Sequence, residues 1–153
     1  MRRQFGCSPL LLLFLLGAGT LSAQAGSSRY EGLDPVDIAN QCVDQMIDAV
    51  QQSESKMVAA VDRFIKLRDY LQDSRWARRI PWLAKRFERS LKARERIYQY
   101  RIQRIFYRHA RQLEKMGEFQ LVTFLEQDMQ FFVGQVTVIK EEQLERLNAA
   151  MNN

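Results

Sequence analysis

The chain has 153 residues, a formal charge of +5, 46% hydrophobic and 27% charged residues, and only seven glycines, three prolines and two cysteines. This much apolar side chain excludes a wholly disordered polymer, the scarce Gly and Pro exclude collagen-like or turn-rich β architecture, and two cysteines cannot staple a disulfide scaffold. The single histidine excludes most zinc sites and every His-rich catalytic constellation, because these need several imidazoles or thiolates converging on one point.

Residues 1–25 read as a secretory signal peptide: a basic start at Arg2 and Arg3, an apolar run from Leu10 to Leu16, and a small-x-small site at Ala23-Gln24-Ala25. Even stretched from Pro9 to Leu21, the run is shorter than the roughly 17–25 residues a spanning helix needs. Cleavage is expected after Ala25, which gives a secreted or periplasmic protein with residues 26–33 as a flexible linker and 34–153 as a single helical domain. Cys7 leaves with the signal. Cys42 is then the lone thiol of the exported chain, either an inert buried group or the source of a disulfide between chains.

A first helix is expected over about residues 35–73. Asp34 and Pro35 supply an N-cap acceptor and a first-turn proline, and Asp37 adds negative charge to the first turn. Val36, Val43, Val50, Met57, Phe64 and Leu71 recur every seven residues, with Ala39, Met46, Ala60 and Leu67 at companion positions and Ser53 as the polar exception. Such a seam predicts coiled-coil packing over a helix roughly 58 Å long. The chain then breaks at Gln72-Asp73-Ser74 and again near Pro81, and Arg75 to Arg79 form a short turn or helix of their own.

A second helix is expected over about 82–116, with Ala84, Phe87, Leu91, Tyr98, Ile102, Ile105, His109, Leu113 and Met116 on its core side and Gly117 as its stop. A third follows over about 118–150, seamed by Val122, Leu125, Met129, Phe132, Val136, Ile139 and Leu147 and interrupted by Gln143. The β-branched run from Phe131 to Ile139 also suits a strand, but the helical seam continues on both sides of it and no strand partner exists elsewhere. The fold class expected is all-α: an elongated antiparallel three-helix bundle or long helical hairpin with coiled-coil character.

Charge follows the same division. Residues 26–74 carry −4, residues 75–111 carry +11 from thirteen basic and two acidic side chains, and residues 112–153 carry −4. Opposite the apolar side of helix two lie Lys85, Arg86, Arg89, Lys92, Arg96, Arg104 and Arg111, interleaved with Trp82, Tyr100 and Tyr107, while Arg94, Arg101 and Arg108 form one border. Guanidinium forks bind carboxylates and phosphates bidentately, and Trp and Tyr add rigid area with a polar handle. Trp82, Lys85, Arg86, Arg89, Arg96, Tyr100, Arg104, Tyr107 and Arg111 are therefore the expected partner-binding residues. The bland alternative is a solvated face partly neutralised by the acidic helices, with Glu126, Asp128 and Glu142 placed to cover it, whereas Asp37, Asp44, Asp48, Asp62 and Asp69 lie on the outer side of helix one, where they would do little to neutralise helix two.

An acidic protein, anionic lipid or envelope polysaccharide fits an exported chain, whereas export and the lack of a binding motif argue against nucleic acid. The function expected is non-enzymatic binding of an anionic or amphipathic partner, chaperone-like or adaptor-like, in the cell envelope. A structural coiled-coil module that acts only by homo-oligomerising is the first alternative. The second is a thiol- or metal-dependent enzyme: Cys42 and His109 come to similar heights in a hairpin, and a carboxylate such as Asp44 could join them. Their spacing carries no signature, and His109 sits at the centre of an apolar face, so no catalytic residue, metal or cofactor is assigned.

Overall fold

The computed structural model describes residues 34–152. The expected signal peptide, its cleavage site and the linker lie outside the described residues. Three helices, α1 (Pro35–Gln72), α2 (Ile80–Met116) and α3 (Phe119–Asn152), form an all-α three-helix bundle in which each helix packs against the other two. A 3-10 turn at Ala77–Arg79 precedes α2.

Capping chemistry sets the ends. Asp34 holds an extended backbone, and its Oδ1 accepts from the Val36 N–H at 2.9 Å, which satisfies one of the donors that a helix start leaves unpaired. Between α1 and α2, the Ser74 hydroxyl donates to the Leu71 carbonyl at 2.8 Å and accepts from the Trp76 N–H at 3.1 Å. Pro81 falls in the first turn of α2, where its missing N–H has no intrahelical acceptor to disappoint. Gly117 ends α2 at φ +83°, with its N–H on the Glu114 carbonyl and the Glu118 N–H on that of Leu113. That paired closure needs a left-handed residue, which glycine supplies without strain.

The core of α1 is wider than its heptad seam. Cys42, Met46, Ala49, Ser53, Met57, Val61 and Phe64 are all 0% exposed. Of these, Cys42, Ala49 and Val61 lie outside the expected seam, whereas Val36 is exposed and Val43, Leu67 and Leu71 are only partly covered. A seam describes contact with one neighbour, and α1 has two, so its buried arc broadens to serve both. Met116, expected in the core of α2, is also exposed: it closes the last helical turn, at the end of the bundle where α1 begins.

The segment from Phe131 to Ile139 is helical throughout, as the continuing seam requires. One buried group went unexpected. Lys140 is 8% exposed, and its ammonium meets Glu95 of α2 at 3.4 Å and also pairs with Glu141. The hydrogen bond that its ammonium donates to Glu141, joined by the charge of Glu95, holds its pKa above the ordinary lysine value despite burial. Asp62 likewise departs from the outer side of α1, lying 2.9 Å from Arg146 of α3.

Candidate functional site: the exposed stripe of the middle helix

On a helix advancing about 100° per residue, Trp82, Arg89, Tyr100, Tyr107 and Arg111 fall within about 20° of one line along α2. Lys85 and Arg96 flank this line on one side, Arg86 and Arg104 on the other. All nine residues are exposed. From Trp82 to Arg111 the stripe runs about 44 Å. Its apolar members stand well clear of the bundle, with Trp82 at 60%, Tyr100 at 66% and Tyr107 at 57% exposure. Ile97, 62% exposed at the edge of the same stripe, belongs with them and was not singled out from sequence, although its register on the helical wheel places it there.

The two carboxylates of the basic block are kept off the stripe. Glu95 turns inward to Lys140, and Glu88 pairs with Lys92 at 2.6 Å, a contact that holds the Glu88 carboxyl below its usual range. Among the described residues none of Glu126, Asp128, Glu141 and Glu145 of α3 forms an ion pair with Lys85, Arg86, Arg89, Arg96, Arg104 or Arg111. Asp128, expected to cover the face, instead lies near Cys42, where burial raises its carboxyl pKa. Glu126 is exposed and Glu142 half-buried.

Two of the three border arginines, Arg101 and Arg108, are tethered to α1. Arg101 donates to the Gln52 side chain at 2.6 Å, and Arg108 to that of Gln45. These bonds hold one edge of the stripe against the bundle with neutral acceptors, so the charge is positioned without being cancelled. Asp48, expected far from helix two, lines the same α1/α2 groove as Arg101, Arg104 and Arg108, though with no salt bridge to them. At the other end of α2, the Arg86 guanidinium lies over the Trp82 ring, 5.8 Å from its centroid.

Cys42 and His109 both lie in the core. Burial pushes the Cys42 thiol up to about 12, offset only in part by the nearby charge of Arg108. At neutral pH the thiol therefore stays protonated, which leaves it a poor nucleophile. A disulfide between chains would require the bundle to open around this fully enclosed sulfur. The His109 ring donates from Nδ1 to the Ile105 carbonyl at 2.9 Å, a bond within its own helix. Asp44 is exposed, and among the described residues no group of three His, Cys, Asp or Glu side chains could hold a metal.

No family model matches the chain, and neither a curated protein nor a solved structure is matched.

Proposed function

We propose that this is an exported, non-enzymatic helical protein that binds an anionic partner through the α2 stripe, in a chaperone-like or adaptor-like role in the cell envelope. The observation that carries the reading is the separation of charge: six exposed cations and three exposed aromatic rings share one straight face, and both carboxylates of the block point elsewhere. Unpaired guanidinium groups beside rigid rings suit carboxylate or phosphate partners, whether acidic protein, anionic lipid headgroups or envelope polysaccharide. The protonated Cys42 and core-bound His109 weigh against thiol chemistry.

The test is the triple charge reversal Arg86→Glu, Arg89→Glu, Arg96→Glu. All three positions are exposed, so the variant keeps its helical circular dichroism while losing crosslinked capture of envelope partners. Undiminished capture rejects the reading. Sedimentation at several concentrations addresses the oligomerisation module: the α1 residues that a coiled coil would use, including Met46, Val50, Met57 and Phe64, are enclosed within one chain, and a monomer throughout is expected. Mass rising with concentration would favour the structural module instead.

A further inference from the structure

Beside the stripe, and sharing only Arg86 with it, a groove of about 500 Å³ opens between α1 and α2. That volume lies within the roughly 300–1,000 Å³ typical of small-molecule sites. Lys56 and Arg63 reach it from α1, seven residues apart, and Arg86 and Arg94 from α2. Among the described residues no carboxylate lines it, and none of the four cations forms a salt bridge. Further along the same two helices the neighbouring groove contains Asp48, Gln45 and Gln52, and two of its three arginines, Arg101 and Arg108, find glutamine acceptors there.

Arg94 supplies a second, independent observation. Its Nε is buried without a hydrogen-bond partner, although guanidinium groups in folded proteins almost always find acceptors. The floor beneath is apolar, formed by Ala60, Leu67, Leu83 and Phe87. A cleft lined by one sign of charge over low-dielectric walls concentrates its field on whatever enters.

We infer that this groove binds a phosphate-headed, single-chain amphiphile, with the head held by Lys56, Arg63, Arg86 and Arg94 and the alkyl chain on the apolar floor. Four cations exceed what one carboxylate would neutralise, and guanidinium forks match phosphate geometry. The apolar floor calls for a tail that a free anion lacks. This inference stands apart from the α2 stripe, and the two fail separately.

The experiment is calorimetric titration of the full chain with dodecyl phosphate below its micelle concentration. Saturable binding of one molecule per chain is expected, with inorganic phosphate and dodecyl maltoside each at least tenfold weaker. Arg94→Gln, and separately Lys56→Glu with Arg63→Glu at two exposed positions, should each weaken dodecyl phosphate at least tenfold. The stripe variant Arg104→Glu with Tyr107→Ala should leave it unchanged while losing polyanion binding. Absence of saturation, equal binding of inorganic phosphate, or groove variants that bind like wild type would overturn the assignment. Displacement of the amphiphile by an equal concentration of hexaglutamate would overturn it in favour of an acidic protein segment.

Discussion

Cys42 and Ser53 sit on the same buried arc of α1, and each carries a polar atom into the core. Burial pushes the Cys42 thiol up to about 12 in the folded chain, against 9.0 for a free cysteine. The folded state therefore keeps its proton in a range where the unfolded chain releases it. The stabilisation is fully present below pH 9 and is lost as pH rises toward 12, to the extent of about 4 kcal/mol. Denaturant titrations from pH 8 to 11 should show this loss in the wild type and a shallower one in Cys42→Ala, and equal slopes would contradict it. The Ser53 hydroxyl is buried with no hydrogen-bond partner. Ser53→Ala removes an unsatisfied group and adds a better helix former, so a gain of about 1 kcal/mol in urea unfolding is expected. A loss would mean the hydroxyl has a partner.

At the scale of the helix, local chemistry and long-range contact diverge. The starts and stops were legible because they depend on neighbours in sequence: Asp34 and Pro35 open α1, and Gly117 closes α2 in the left-handed conformation. The exposed stripe was legible for the same reason, since a helix once formed fixes which residues share a line. What lay hidden depended on a third element. The heptad pattern of α1 indicated one partner, and the second partner buries Cys42, Ala49 and Val61. Lys140 reads as a surface charge until Glu95 of α2 is placed beside it, and the groove between α1 and α2 exists only when Lys56 and Arg63 face Arg86 and Arg94. The Lys140 pairing also predicts a coupling between helices. Lys140→Met should cost about 2 kcal/mol by stranding Glu95, and adding Glu95→Gln should recover much of that cost. A double-mutant cycle by thermal unfolding measures it, and strict additivity would deny the coupling.

At the scale of the whole molecule, the small net charge conceals a segregated pattern, in which a +11 block lies between two of −4 along the sequence. The acidic blocks do not erase the basic one. Asp62 engages Arg146 and Glu141 engages Lys140, and the α2 stripe acts over distances limited by salt, with a screening length of about 8 Å at physiological ionic strength. A straight face about 44 Å long, with rings along its middle and cations on both flanks, is suited to an extended anionic surface. Among the described residues no helix is long and apolar enough to cross a membrane.

The most direct measurement is equilibrium binding of the full chain to defined anionic surfaces across a salt series, with vesicles of mixed neutral and anionic lipid, polyglutamate and an anionic polysaccharide as probes. Wild type should bind at least one of them, more weakly as salt rises. Removing three cations costs about 1 kcal/mol each, so Arg86→Glu, Arg89→Glu, Arg96→Glu should weaken that binding by more than about 100-fold with helicity intact. Binding to none of the three probes, or a charge-reversed chain that binds as tightly as wild type, would contradict a partner-binding role for the α2 stripe.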